Sequence, residues 1–320
     1  MQIATGTNVI ILMPVYEDAA SSEILFAALK EELKEGFFVV AVDDGSIVSP
    51  PDLRSMEKAG VQGAIIRLTR NLGHQCAIAH GLSVIAETME DHQRVIIMDS
   101  DGEDMPSSIS VLLASLAASE VDIATAKRMS RHDSRLVRLF YHFYRGFFRI
   151  MTGYSLTFGN FMALKAHAVR RLVAMHETTT HVASSVLASK LRVKPCPIDK
   201  GPRYAGQSKM NFVNLALHGF KAMMNFSDQV LVRVGIICSV IAALSLLAMG
   251  LAVLLKLTGM SPPGWFSVII AVLLMIFIQT GALTLIMLLL SGSTGPKLPP
   301  TAKQYRSQIL GIEETSRGLA

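Results

Sequence analysis

From Val234 to Leu255 the chain carries no charged residue, and from Trp265 to Leu290 it again carries none. At 1.5 Å per residue, a helix over the first run reaches about 33 Å, enough to cross a bilayer core of about 30 Å. The second run has a few residues to spare, which tilt absorbs. Between them "KLTGMSPPG" is short and breaks helices with Pro262, Pro263 and Gly264. The pattern predicts a transmembrane hairpin; a hairpin buried in a soluble core fits two runs of this length and apolarity poorly. Lys221 and Arg233 precede the first run and Lys297, Lys303 and Arg306 follow the second, against a lone Lys256 in the turn. Both flanks are therefore expected on the cytoplasmic side of an inner or plasma membrane. The opening "MQIATGTNVI" lacks a basic region, a long apolar stretch and a cleavage site, so no signal peptide is expected.

At 320 residues there is room for about two domains. The formal charge of +5 and a pI near 9.1 suit a protein working against anionic lipid, and nucleic acid is not an expected partner. Cys76, Cys196 and Cys238 lack metal-ligand spacing and support neither a disulfide framework nor a zinc site.

Ahead of the hairpin, short apolar runs alternate with helical stretches: "VIILMPV", then Ser21 to Lys34; "FFVVAV"; "AIIRL", then His74 to Glu87; "RVIIM", then Pro106 to Ala118; "VDIATA". Strands separated by helices predict an α/β layer with a mostly parallel sheet, whose ligands gather outside the carboxyl ends of the strands. The expected organisation is a domain over residues 1–209, an amphipathic interfacial segment over 210–229, the hairpin over 230–292, and a flexible cytoplasmic tail over 293–320.

Two acidic clusters leave the same edge of that sheet. "VDDGS" puts Asp43 and Asp44 at the end of the second strand, and "DSDGEDMP" gathers Asp99, Asp101, Glu103 and Asp104 after the strand that starts at Arg94. Such repulsion is tolerated if water solvates the loop or a cation sits in it. No G-x-G-x-x-G follows the first strand, which disfavours a Rossmann dinucleotide site. An Asp-x-Asp pair can instead offer oxygens to one Mg²⁺ or Mn²⁺ that completes its shell with substrate phosphates, as in a nucleotide diphosphate.

The ordered set "MPVYED", "VDDGS", "RNLGHQCAIAHGL", "DSDGEDMP" and "RYAGQSKM", followed by two spans, resembles the family 2 glycosyltransferases of the GT-A fold. The likeness is to the polyprenyl-phosphate and dolichol-phosphate sugar transferases in particular. It implies a GT-A, Rossmann-like nucleotide-sugar domain in which Pro14, Tyr16, Glu17, Asp43, Asp44, Arg70 and Asn71 hold the nucleotide. It implies that Asp99 and Asp101 bind the metal and diphosphate, with Glu103, where relatives commonly carry Gln, as a further oxygen ligand; Asp104 and Pro106 shape the turn. By the same likeness Arg203, Ser208 and Lys209 belong to a loop closing over the phosphates.

Arg128, Arg131, Arg135, Arg138, His142, Arg145 and Arg149 recur at intervals of three and four, which predicts one helical face, with Phe143, Phe147 and Ile150 among the apolar residues between. It is either a solvated basic face or a surface whose start meets substrate phosphate and whose remainder meets anionic lipid. Relatives carry arginines resembling Arg128 and Arg131 near the phosphates. In "MNFVNLALHGFKAMMNFS" the residues Phe212, Leu215, Ala216, Gly219 and Met223 share a face expected at the membrane interface, although Met223, Met224 and Phe226 could instead be domain core. Gln279, Thr280 and Thr284 put polar groups into the second span, which suggests a homo-oligomer or pairing with the first span.

The resemblance implies a metal-dependent, inverting enzyme of cell-envelope glycan assembly that moves one sugar from a nucleotide diphosphate sugar to a polyprenyl phosphate. The alternatives are transfer to another lipid or glycan, and a non-catalytic scaffold or sugar-nucleotide sensor. The latter draws on "TFGNFMALK", where many relatives have Gly-Asp-Phe-Arg and this chain has Asn160 in place of the acid. A hydroxyl acceptor needs a base to take its proton, whereas a phosphate monoester with a second pKa of about 6 already carries an oxyanion near pH 7. Asn160 therefore points to a lipid phosphate as acceptor.

Overall fold

A computed structural model describes residues 1, 3, 6–128, 135–205, 212–260, 262, 264–293 and 302–316. The chain divides into two compact units. One comprises residues 1–142, 156–225 and 298–320, the other residues 143–155 and 226–297.

The first unit is built on an eight-stranded sheet. Strands β1 (Val9–Val15), β2 (Phe37–Asp43), β3 (Gly63–Leu68) and β4 (Arg94–Ile97) are mutually parallel, with β1 between β2 and β4. Helices α1 (Ala19–Leu33), α2 (Leu53–Lys58), α3 (His74–Thr88) and α4 (Ile109–Leu116) lie among these strands and the next in sequence. The near-continuous apolar runs of β1 and β2 are buried on both faces, as strands inside a layered α/β domain must be. One face packs with Ala77, Ile78, Leu82 and Ile85 of α3, and the other with Leu25, Phe26 and Leu29 of α1 and Leu112 and Leu116 of α4. The five strands read from apolar runs are all present.

Three strands escaped that reading. β5 (Ile123–Arg128) is followed, across residues outside those described, by α5 (Arg135–Thr152), β6 (Met162–Lys165), α6 (Ala166–Val173), α7 (Val182–Ala188) and β7 (Val193–Ile198). β6 runs antiparallel between β4 and β5, and β7 pairs in parallel with β5 at the sheet edge. Pro195 and Pro197 in β7 are tolerated because an edge strand has an unpaired side.

The third is the main correction. After α8 (Phe212–Met224), α9 (Ser227–Leu257) and α10 (Trp265–Ser293), the expected flexible tail instead forms α11 (Ala302–Arg306) and β8 (Ile309–Glu314). β8 pairs antiparallel with β3 and closes the other sheet edge. Tyr305, buried, and Arg306 both bind Glu87, and Gln308 Oε1 lies 2.6 Å from His80 Nε2. Leaving for two apolar helices, the chain returns to the sheet it left.

The second unit holds those helices. Leu244, Leu247, Leu251 and Leu254 of α9 and Met275, Ile278, Leu285 and Leu289 of α10 are exposed. Cys238, Ser245 and Ala252, small and seven residues apart, are buried on α9, which packs along α10. An exterior of leucine and isoleucine over a seam of small residues is how helices associate in lipid, and by length and apolarity both helices could span a membrane. Thr280 Oγ1 donates to Ile276 O (2.7 Å) and Thr284 Oγ1 to Thr280 O (2.9 Å), so both hydroxyls are satisfied within their own helix and require no second chain. Phe226 packs on Phe148 and Tyr154 in this unit, and Arg233 Nη1 donates to Ile150 O at 2.6 Å. In the first unit Ala222 and Met223 are buried, whereas Leu217, Phe220 and Met224 form an exposed stripe on α8.

Candidate active site

β2 and β4, parallel to β1, deliver their acidic ends to the same edge. At the end of β2 both carboxylates are buried and each has structural work. Asp44 accepts hydrogen bonds from the backbone N–H groups of Leu72 (2.7 Å) and Gly73 (2.9 Å), tying the "RNLG" turn to the sheet. Burial pushes its pKa up, and those two N–H groups oppose the rise. Asp43 accepts from Ser46 N at 3.0 Å and pairs with Arg67 at 3.0 Å. Gly45 between them has φ +72, and a Cβ there would come within 2.4 Å of the Arg70 carbonyl carbon, so only glycine lets the two turns meet.

Glu17 completes this region. Its carboxylate accepts the backbone N–H groups of Ile47 (2.7 Å), Val48 (3.0 Å) and Ser49 (2.5 Å), and its own N–H donates to Ser46 Oγ. Pro14 is buried at the end of β1, while Tyr16, Arg70 and Asn71 are exposed around the same edge. The structure thus gathers Pro14, Tyr16, Glu17, Asp43, Asp44, Arg70 and Asn71, with several of the acids holding backbone rather than standing open.

The second cluster follows β4. Asp104 is buried and accepts from Asp99 N at 3.0 Å, folding the turn back on itself. Asp101 Oδ1 accepts from Glu103 N at 3.0 Å. The segment carrying Arg203 docks on this turn: Tyr204 N donates to Asp101 O (2.8 Å), Gly201 N donates to Glu103 O (2.9 Å), and the Tyr204 ring lies against Gly102. Three cations gather there. Arg203 is 2.8 Å from Asp101 and 3.2 Å from Glu103, Lys200 is 2.6 Å from Glu103, and Arg128 is 3.9 Å from Glu103 and 3.5 Å from Asp104. These cations pull the Glu103 pKa below its ordinary value against the opposing effect of burial.

Asp99 is different. Among the described residues its Oδ1 is buried without a hydrogen-bond partner, at 3.3 Å from His74 Nε2. Burial, with Asp101 and Glu103 adding like charge, raises the Asp99 pKa, and Arg128 and Arg203 oppose that rise. A bare carboxylate oxygen beside a second carboxylate is what a divalent cation would relieve. Among the described residues no group of three or more His, Cys, Asp or Glu is arranged to hold a metal alone. The donor set therefore fits an ion that draws the rest of its shell from substrate and water.

His74, at the start of α3, was not singled out from the sequence, nor was Lys200. Asn160, just before β6, lies with its Nδ2 3.1 Å from His74 Nε2. The same Nε2 faces Asp99 Oδ1 at 3.3 Å, and desolvation lowers the His74 pKa against the opposing charges of Asp104, Asp44 and Asp101. The signals available were the position of His74 directly after "RNLG" and the clustering of Lys200 with Arg203 in "DKGPRY".

Arg128 ends β5 and does not share a helix with Arg145 and Arg149, which correct the single seven-residue face expected. The spacing of three and four runs across a strand end because it reflects composition as well as helical pitch. Arg131, Ser208 and Lys209 lie outside the described residues.

The sequence profile of Glycosyl transferase family 2 matches residues 10–176, which include both acidic clusters and Asn160. The chain belongs to glycosyl transferase family 2. An uncharacterized glycosyltransferase of Synechocystis sp. is 28% identical over 272 residues, 82% of this chain and 83% of that protein. An undecaprenyl-phosphate 4-deoxy-4-formamido-L-arabinose transferase of Shewanella sediminis is 25% identical over 256 residues, 77% of this chain and 75% of its own. Glucosyl-3-phosphoglycerate synthase of Mycobacterium tuberculosis, solved with Mn²⁺, UDP-glucose and phosphoglyceric acid, shares the fold with a TM-score of 0.51. That likeness holds at 12% identity over 70% of this chain and 80% of the other. This family 2 glycosyltransferase thus has a GT-A-like α/β domain and two long apolar helices near its C-terminus.

Proposed function

We propose that this enzyme transfers one sugar from a nucleoside diphosphate sugar to a polyprenyl phosphate at the cytoplasmic face of a membrane crossed by α9 and α10. The observation that carries the reading is the unpartnered Asp99 oxygen beside Asp101, set among Arg128, Lys200 and Arg203 at the carboxyl edge of the sheet. The Shewanella sediminis relative acts on an undecaprenyl phosphate by its name, and the mycobacterial fold relative was solved with Mn²⁺ and UDP-glucose, which supports the same substrate classes here.

Asp99 and Asp101 would hold Mg²⁺ or Mn²⁺, which when bound offsets charge on the departing diphosphate. Glu103, engaged by Lys200 and Arg203, is assigned to hold those cations facing the same space rather than to ligate the ion. Arg128, Lys200, Arg203 and, from the resemblance, Arg131, Ser208 and Lys209 bind and orient phosphate oxygens. The acceptor oxyanion attacks the anomeric carbon as the bond to the nucleoside diphosphate breaks, with inversion. Asn160 and His74 form the polar wall of the acceptor pocket: a phosphate monoester needs no base near pH 7, and Asn160 supplies hydrogen bonds in place of one. Pro14, Tyr16, Glu17, Asp43, Asp44, Arg70 and Asn71 frame the nucleotide.

The test compares polyprenyl phosphate with the matching polyprenol, using detergent-purified enzyme, radiolabelled UDP- and GDP-sugars, and added or chelated Mn²⁺. Transfer to the phosphate alone, abolished by chelation, is expected. A better reaction with the alcohol would overturn the acceptor, and undiminished turnover after chelation would overturn the role of Asp99 and Asp101.

A further inference from the structure

The strand that follows the two apolar helices reaches the nucleotide edge through one arginine. Arg67, on β3, donates from Nε to Glu313 Oε1 at 2.6 Å and from Nη2 to Glu313 Oε2 at 3.2 Å, a two-pronged grip on a β8 residue. Its Nη1 donates to Asp43 Oδ2 at 3.0 Å, and its Nη2 also reaches Pro51 O at 3.3 Å. Asp43 in turn accepts from Ser46 N, and Ser46 Oγ accepts from Glu17 N. One continuous set of hydrogen bonds, charge-assisted as far as Ser46 N, thus runs from β8 to the turn that frames the nucleotide. β8 is itself fixed independently, by its ladder to β3 and by Thr315, whose N–H donates to Gly63 O at 3.0 Å.

We propose that β8 is a positioning element of the donor site: Glu313 orients Arg67, and Arg67 holds Asp43 and the 43–49 turn in the shape that receives the nucleotide. A planar guanidinium gripped from two sides has few alternative placements, whereas one released by Glu313 can leave Asp43 for water. The return of the chain after α10 then serves binding as well as sheet closure, and a lysine at position 67 could not make both contacts. The inference rests on the donor site lying at this edge, as proposed above.

The experiment measures binding of UDP, GDP and CDP, each with MnCl₂, to the full chain in detergent by calorimetry. It uses wild type, Glu313→Gln and Glu314→Gln, with hydrogen exchange of the 43–49 peptide in parallel. Glu314 lies 3.4 Å from the N-terminal ammonium and makes no part of the Arg67 grip, so it controls for loss of charge on the same strand. Glu313→Gln is expected to weaken the nucleotide that wild type binds best by about fivefold, the net scale of one ordinary hydrogen bond, because the effect reaches the nucleotide only through Arg67 and Asp43. It should raise exchange at Ser46, and raise donor KM while leaving kcat and acceptor KM in place; Glu314→Gln should do none of these. Unchanged affinity in Glu313→Gln, or an equal loss in Glu314→Gln, overturns the proposal while the donor site stands. If wild type binds none of the three, the donor-site reading falls and this inference falls with it.

Discussion

Replacing Asp44 by alanine is expected to weaken the fold as well as the donor site, because its carboxylate is the acceptor for two backbone N–H groups at 2.7 and 2.9 Å. A hydrogen bond to a charged group contributes about 1.5–3 kcal/mol, so two represent about 3–6 kcal/mol before any offset. The offset is the strain of burying an anion, visible in the raised pKa of Asp44, and it brings the expected loss to about 2–3 kcal/mol. For a domain of this size that lowers Tm by about 5–10 °C. Differential scanning fluorimetry on wild type, Asp44→Ala and Asp44→Asn reads the effect, and the asparagine variant, which keeps an oxygen acceptor, should recover about half of it. Nucleotide affinity measured alongside should fall in both. An Asp44→Ala protein with unaltered Tm and lost nucleotide binding would refute the clamp and leave Asp44 as a ligand only.

Asp101→Ala should abolish transfer in the radiolabelled assay with Tm within about 2 °C of wild type, since among the described residues its carboxylate bonds a local turn and Arg203. Replacing Lys200 and Arg203 together by alanine should lower kcat about a hundredfold or more, and an unchanged rate would remove this segment from phosphate binding. Asp122 accepts from Arg192 N and side chain and from His167, which hold its carboxyl far below the ordinary range. A depressed folded pKa contributes stability above the unfolded value of 3.8 and loses it as pH falls through the folded one. Asp122→Asn should therefore melt below wild type at pH 7, with the gap narrowing only beneath pH 3.8 in a pH series of thermal melts. A chain ended at residue 297 should melt about 5 °C or more below the full chain, because it exposes β3 as a bare edge and strands Glu87, His80 and Arg67.

Much of the architecture is written in local pattern. The first five strands follow from apolar runs long enough to be buried on both faces, and α9 and α10 from runs too long and too apolar for anything but lipid or a core. The acidic strand ends could be placed on one sheet edge because parallel strands must all end on the same side. What sequence pattern could not reach was pairing. β6 is four residues long, β7 carries two prolines, and β8 is mostly exposed. Each is a strand only because a neighbour supplies its hydrogen bonds, a fact held at the far end of the chain in the case of β3 and β8. Charge told the same story. The sequence showed that Asp99, Asp101, Glu103 and Asp104 need water or cations, but Arg128, Lys200 and Arg203 arrive from a strand end and a segment about a hundred residues away. Which acid was left with an open oxygen was therefore decided by tertiary structure alone, since a carboxylate's freedom depends on what the fold brings against it.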